Sequence, residues 1–501
     1  MSETGLDDTG LLGDLPDPRT AESVRYNPPN DRLRAFSEHL ETTTEYGSPA
    51  YVSDYRSRSA DRTKNRIDHE FDADDRALVE GAVREVGERE MLAVDRMVGR
   101  HPEVAQHCRL WVPKEYGRIA LAWRKLLEPA PEDGEPDLVT VQLPDRDEVA
   151  IRVLPEAGLT VVRGSDYTGE AKKSFLRLYM RRAKERGGLG IHAGSKRVVV
   201  EDGDGLDSVG QLFLGLSGTG KSTLTGHGFW LEDPEYAEML QDDVCSLLPD
   251  GTVAGSEGGG LYIKTDSLDA DEQPQLHHAA TESSAVLENV AVDDDGAVDF
   301  EDTELTTNGR AVIRREDLPS AADDVDLPDV DQVFFITRNP LMPPVARLSD
   351  AQAAAAFMLG ESVETSAGDP EKAGERVRVV GTNPFIVGPE GEEGNRFREL
   401  VRANDVQCYL LNTGTVGGRD VGVEETVAIL EGIARDDVAW TDDEAVGMEI
   451  PERVPGIDVD RYYPPEAVED YGDRLTRLRV ERRTYLADFE WLDEAIQDAA
   501  Y

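Results

Sequence analysis

Residues 211–226 read Gln211-Leu212-Phe213-Leu214-Gly215-Leu216-Ser217-Gly218-Thr219-Gly220-Lys221-Ser222-Thr223-Leu224-Thr225-Gly226. Positions 215–222 fit the pattern G-x-x-x-x-G-K-[ST]. The apolar run before them reads as a buried strand and the residues after as a first helical turn. In that setting glycines let backbone N–H groups close around phosphate oxygens, and the helix N-terminus adds positive potential. Lys221 then reaches the β- and γ-phosphates, and the Ser222 hydroxyl binds Mg²⁺. The bland alternative is a glycine loop with an incidental lysine, but a chance match in such a composition is roughly a one-in-a-hundred event. The stretch predicts nucleoside triphosphate binding, with Gly215, Leu216, Ser217, Gly218, Thr219, Gly220, Lys221 and Ser222 around the phosphates.

The 501 residues exceed one ordinary core, so two domains are expected. There are 102 acidic against 53 basic residues, a net charge of −49. Self-repulsion of that size disfavours a compact chain in dilute buffer. It fades in molar salt, where the Debye length is about 3 Å. The acids are dispersed and only ten basic residues are lysine, a pattern expected of a cytoplasmic protein in a salt-accumulating halophile. An acidic surface for one basic partner would cluster its charge. Nucleic acid and anionic membranes are poor partners at this charge. Cys108, Cys245 and Cys408 have no metal-ligand spacing and read as reduced thiols. The opening Met1-Ser2-Glu3 carries no signal peptide, and no apolar run approaches the ~18 residues of a membrane span. A soluble, intracellular chain is expected.

Mixed elements surround the loop. Residues 1–30 are acidic and proline-bearing, with a disordered start expected. Residues 74–127 read as helical, 128–134 as a loop and 170–185 as a basic amphipathic helix. Strands are expected over 149–154 and 159–162 about a Pro/Gly turn. A hairpin is expected about Glu201-Asp202-Gly203-Asp204-Gly205, and further strands over 333–336 and 407–411. Helices are expected over 350–359 and 424–435. The class is α/β.

Asp242-Asp243 follows the apolar Met239-Leu240, as an acidic pair at a strand end would. A carboxylate there can hold Mg²⁺ opposite Ser222, whereas the bland reading in so acidic a chain is a solvated turn. Upstream lie Tyr167-Thr168-Gly169-Glu170-Ala171-Lys172-Lys173 and Gly188-Leu189-Gly190-Ile191-His192-Ala193-Gly194. A lone histidine is most often structural and paired lysines are most often surface charge. Yet Lys173, Lys221 and Lys264 are three of only ten lysines, each in a motif-like segment. His192 can ligate a transition metal through a neutral ring nitrogen, and a lysine ligand would need a strongly lowered pKa.

The order Tyr-x-Gly-Glu-x-Lys-Lys, His192, Gly-Leu-Ser-Gly-Thr-Gly-Lys-Ser and Asp-Asp resembles ATP-dependent phosphoenolpyruvate carboxykinase. Counterparts continue in Glu257-Gly258-Gly259 ending in Lys264-Thr265, Leu287-Glu288-Asn289-Val290, Asn308-Gly309-Arg310, Leu341-Met342-Pro343-Pro344-Val345 and Leu411-Asn412-Thr413-Gly414. The resemblance runs from about residue 160 to 435. The GTP-dependent class has a different loop, with Ala-Cys-Gly-Lys, so the loop type favours ATP.

The resemblance implies a two-domain carboxykinase-like fold, with residues 1–187 on the substrate side and a P-loop mononucleotide-binding domain over 188–501. It implies that Lys173, His192 and Asp243 hold Mn²⁺ at the keto acid, and that Ser222 holds the nucleotide Mg²⁺ with Asp242 near it. Arg310 lies between substrate and γ-phosphate by the same comparison, Tyr167 near the substrate and Lys264 near the transferred phosphoryl group. Arg58 is the candidate carboxylate arginine, although the family's Arg-Ser-Pro-Lys-Asp-Lys has lost its proline and first lysine here. Glu288, Arg419 and Thr426 are placed on the nucleotide side. Val244-Cys245 replace a usual Glu-His, Thr337-Arg338-Asn339-Pro340 replace a stretch with Asp-Ala-Phe-Gly, and Thr415 stands where a Trp is usual.

The implied reaction turns oxaloacetate and ATP into phosphoenolpyruvate, ADP and CO₂, a gluconeogenic step, in a monomer acting on small molecules. Phosphoryl transfer is mainly positioning and electrostatics, which Lys221, Lys264, Arg310 and Mg²⁺ suit. Two rivals stand beside it. Another kinase gives Lys173 and His192 no role, and a non-catalytic ATP-binding module draws on the departures at 244–245 and 338–340.

Overall fold

The computed structural model describes residues 8–55, 60–203, 205–216, 219–226, 228, 230–266, 268–271, 273–363 and 376–501. Arg58, Ser217 and Gly218 lie outside the described residues. The chain forms two units, one holding the residues up to Arg182 with Ser256–Pro319, the other Ala183–Gly255 with Ser320–Tyr501. Mixed α/β structure fills both.

The sequence reading sets one boundary at 187/188, whereas residues 256–319 return to the first unit. Strand pairing is the reason. Val286–Glu288 pairs in parallel with Pro49–Tyr51 and antiparallel with Arg310–Arg314, which pairs in turn with Gly260–Lys264. Local patterning does not reveal a partner more than two hundred residues away.

The first unit also carries an eight-stranded sheet. Its order is Val24–Tyr26, Met91–Val98, Gln106–Pro113, Leu138–Leu143, Leu159–Arg163, Ala150–Leu154 and Thr63–Asn65, with Glu128–Pro129 beside Met91–Val98. Two expectations are corrected here. The 74–127 stretch is helical only at its ends, Ala73–Val86 and Gly117–Leu126, and the middle is the strand pair Met91–Val98 and Gln106–Pro113. In the middle Asp95, His107 and Arg109 are buried and paired. Asp95 lies opposite Arg109 in register and takes its guanidinium at 2.7 and 2.8 Å, with His107 Nε2 at 3.0 Å. Burial alone would raise the Asp95 carboxyl, but Arg109 and His107 hold it well below the usual carboxylate range. Within residues 1–30, the Val24–Tyr26 segment is a sheet strand, parallel to Met91–Ala93.

The second unit is built on an eight-stranded sheet whose centre is three parallel strands, Gly205–Leu214, Gln332–Thr337 and Gln407–Asn412. Their residues alternate between two cores, as a strand's period of two requires. Leu212, Leu214, Val333, Phe335, Cys408 and Leu410 face helices Asp350–Leu359, Glu390–Ala403 and Tyr471–Ala487. Phe213, Phe334, Ile336, Tyr409 and Leu411 face the other way, towards Leu224, Ile429 and Ile433. Covering both faces explains the near-continuous apolar runs. Phe213, Phe334, Tyr409 and Trp440 form a ladder with centroids 5.1, 5.3 and 5.6 Å apart. The hairpin over 201–205 joins Ala193–Asp202 to Gly205–Leu214. Cys108, Cys245 and Cys408 are buried and free. No helix among the described residues is long and apolar enough to cross a membrane.

Candidate active site

In the second unit the predicted loop leaves strand Gly205–Leu214 and enters helix Lys221–Gly226. Gly220 has φ +96°, a conformation that disfavours a side chain. Thr219 is buried, its hydroxyl donating to Leu216 O at 2.8 Å and its own carbonyl accepting Thr413 Oγ1 at 3.2 Å. Lys221 Nζ donates to the Asp242 carbonyl, and Ser222 Oγ donates to Asp242 Oδ2 at 3.2 Å. The other carboxylate oxygen, Asp242 Oδ1, is buried without a hydrogen-bond partner among the described residues. An orphaned anionic oxygen of this kind costs free energy unless a cation completes it, and beside a serine hydroxyl it fits a hard divalent ion.

His192 and Asp243 form a second group. His192 Nε2 lies 2.8 Å from Asp243 Oδ1, and its Nδ1 lies 2.6 Å from the Thr382 carbonyl. A carbonyl only accepts, so Nδ1 carries the hydrogen. A neutral ring then presents its Nε2 lone pair towards a carboxylate, a pairing completed by a proton or a metal cation. Metal-bound histidines are typically fixed through the far nitrogen in this way. Thr382 sits at φ +52°, strained for a β-branched residue. Phe385 packs edge-on to the ring. Thr382 had no sequence signal, because a carbonyl acceptor leaves no trace in residue type. Cys245, at the departure after Asp243, is buried against Ala193 O and burial pushes its thiol up to about 12. Among the described residues no three His, Cys, Asp or Glu side chains cluster as a metal site.

Arg419 and Thr426 are also in this unit. Arg419 is exposed and donates to the Arg461 carbonyl, while Thr426 Oγ1 donates to Gly422 O at 2.9 Å inside helix Val423–Ala434. Neither is hydrogen-bonded to the described residues of the loop.

In the first unit Tyr167, Lys173, Lys264, Glu288 and Arg310 come together. Lys264 and Glu288 flank Arg310 in register on neighbouring strands. Arg310 Nε donates to Tyr167 Oη at 3.2 Å and Nη2 to Asn308 Oδ1 at 2.9 Å, with its guanidinium 5.6 Å from the Tyr262 ring centre. Lys173 Nζ is 5.2 Å from the Tyr167 ring centre and 3.5 Å from Glu170. Lys264 Nζ donates to Asp266 at 3.0 Å. Gly169 is required here, since a Cβ would sit 2.3 Å from the Tyr167 ring.

Glu288 is the hub beneath these groups. Its Oε1 accepts from Arg118 at 2.9 Å and from the Thr168 amide and hydroxyl at 3.0 Å each, and its Oε2 accepts from Tyr262 Oη at 2.8 Å. Arg118 also donates to Asp166 Oδ2 at 2.7 Å. Arg118, Asp166 and Tyr262 were not singled out from sequence; they support the site from segments whose local pattern is ordinary.

The sequence matches the phosphoenolpyruvate carboxykinase family, in its ATP form, over residues 56–460. The chain belongs to that family. It is 38% identical to the phosphoenolpyruvate carboxykinase (ATP) of Aeropyrum pernix over 478 residues, covering 93% of this chain and 95% of the relative. It is 31% identical to phosphoenolpyruvate carboxykinase (ATP) 1 of Salinibacter ruber over 353 residues, 66% of this chain and 63% of the relative. The family uses ATP and a divalent metal on small-molecule substrates.

Proposed function

We propose that this chain converts oxaloacetate and ATP into phosphoenolpyruvate, ADP and CO₂, with a general role in gluconeogenesis. Family membership over most of the chain supports the reaction. The single structural observation that carries the site is the pairing of Lys221 and Ser222 onto Asp242, whose remaining oxygen is unpartnered, next to His192–Asp243.

Residues 215–222 act as the phosphate loop of a P-loop nucleotide-binding unit, with Lys221 on the β- and γ-phosphates. Mg²⁺ is assigned to Ser222 and Asp242. Mn²⁺ is assigned to His192 and Asp243, with Lys173 as the ligand that the family motif order adds. When bound, these cations supply Lewis-acid stabilisation of the developing enolate oxygen and neutralise phosphate charge.

Loss of CO₂ breaks a C–C bond and leaves its electron pair as an enolate. The enolate oxygen then attacks the γ-phosphorus and ADP departs. Arg310, oriented by Tyr167 and Asn308, offers a planar fork suited to carboxylate or phosphoryl oxygens. Lys264 offsets charge on the transferred group, and Tyr167 orients the keto acid. Thr382 fixes the His192 ring, and Glu288 holds Tyr262 and Thr168 in place. Arg58 is the proposed carboxylate arginine, and Arg419 and Thr426 the proposed adenine-side residues. We assign a cytoplasmic monomer.

A coupled assay for phosphoenolpyruvate, with CO₂ release from oxaloacetate, tests this on the parent chain, Lys173→Ala and His192→Ala. The parent is expected to turn over and both variants to lose at least tenfold. A parent that forms no oxaloacetate-dependent phosphoenolpyruvate overturns the function, and full turnover in both variants overturns the Mn²⁺ assignment.

A further inference from the structure

Arg338 follows the central strand Gln332–Thr337 directly. Leu214, the last residue of its strand, pairs in parallel with Phe335, so Gly215 and Arg338 both follow strand ends at the carboxyl side of the sheet. On the other side Thr337 pairs with Asn412, and Thr413 N donates to Thr337 O at 3.0 Å. A Cβ on Gly414 would lie 2.9 Å from Arg338 Cα. Thr413 in turn donates to the Thr219 carbonyl of the loop. Arg338 is thus rooted at the carboxyl edge of the parallel strands, where α/β sheets bind ligands.

The side chain is half-buried and unsatisfied. Arg338 Nε is buried without a hydrogen-bond partner, and no side-chain hydrogen bond or ion pair of Arg338 occurs among the described residues. Burial lowers its guanidinium from the ordinary value. Carboxylates are abundant in this chain, 102 against 53 cations, and nearby arginines find them. Arg347 forks onto Glu449 at 2.7 and 2.8 Å, and Glu361 takes both Arg378 and Arg482. A guanidinium left without an anion at this edge is costly unless a ligand supplies one. It also stands where the family pattern carries Asp-Ala-Phe-Gly, so it belongs to this chain rather than to that pattern.

We infer that Arg338 is a further nucleotide-binding residue, donating to a phosphoryl oxygen of the triphosphate held on residues 215–222. The inference rests on the reading of that segment as a phosphate loop. The planar fork of arginine suits a phosphate in a way that the point charge of lysine only partly reproduces.

The test is calorimetric titration of ATP into the full-length parent, Lys221→Ala, Arg338→Gln and Arg338→Lys, with thermal unfolding of each protein free of ATP. Arg338→Gln is expected to weaken ATP binding about tenfold or more, the size of one charge-assisted hydrogen bond, and Arg338→Lys to recover part of it. The ATP-free unfolding temperature of Arg338→Gln is expected to equal or exceed the parent's, because an uncompensated buried charge is removed. Unchanged ATP affinity in Arg338→Gln, with Lys221→Ala weakened, overturns this inference alone. A loss of affinity accompanied by a lower ATP-free unfolding temperature also overturns it, as a structural role. A parent that binds no ATP overturns the phosphate-loop reading itself.

Discussion

His192 lies between two acceptors, 2.8 Å from Asp243 Oδ1 through Nε2 and 2.6 Å from the Thr382 carbonyl through Nδ1. The carbonyl fixes the ring, and the carboxylate faces the nitrogen that a metal would use. Removing such a ring leaves Asp243 without its aromatic neighbour and weakens divalent binding. His192→Gln is expected to lower Mn²⁺ affinity by about 10–100-fold or more, read by Mn²⁺ electron paramagnetic resonance on the isolated protein. Affinity equal to the parent's would remove His192 from the metal site.

Glu288 satisfies a guanidinium, an amide, a hydroxyl and a phenol from separate segments of the first unit. Glu288→Ala leaves buried Arg118 with Asp166 as its remaining carboxylate. Breaking a buried pair from one side costs about 3–5 kcal/mol. A loss of that size is expected in urea unfolding, with a smaller loss for Glu288→Gln. A change within about 0.5 kcal/mol would show that the hub is not structural.

Lys196 is fully buried, donating to Leu224 O at 3.0 Å near the faces of Phe213 and Trp230. Burial pushes its ammonium down to about 7 from 10.5. Between those two values the unfolded chain holds a proton that the folded chain has released, so this residue makes stability rise with pH from about 7 to 10.5. Below pH 7 both states are protonated and the burial penalty is present in full. Lys196→Met is expected to be the more stable form at pH 6, by on the order of a few kcal/mol, with the difference shrinking towards pH 10. Thermal unfolding of both proteins across that range measures it, and parallel curves would disprove it.

Net charge predicts a salt response. With −49 charges, self-repulsion is relieved as the Debye length falls to about 3 Å at molar salt. Turnover and unfolding temperature are both expected to rise from dilute buffer to molar KCl. A steady fall in rate with KCl would refute this.

The loop, its flanking strand and helix, and the strand ends at Asp242 and Thr337 were legible because each is a local pattern. Phe213-Leu214 and Phe334-Phe335 are apolar on both faces, which marks a sheet covered on both sides. The strands at 91–113 were not legible, since Asp95 and Arg109 mimic a charged helix face until their pairing across the sheet is known. Thr382 and Arg118 illustrate another limit. One acts through a carbonyl and the other through a guanidinium that reaches Asp166 and Glu288, and neither role is encoded nearby.

The return of Ser256–Pro319 to the first unit has a consequence for biosynthesis. A ribosome that has delivered only the first 187 residues has not yet made Gly260–Lys264, Val286–Glu288 or Arg310–Arg314, three of the five strands in one of that unit's sheets. The first unit therefore stays incomplete while Ala183–Gly255 of the second unit emerges. No single cut in the gene yields two fragments that each own one whole unit.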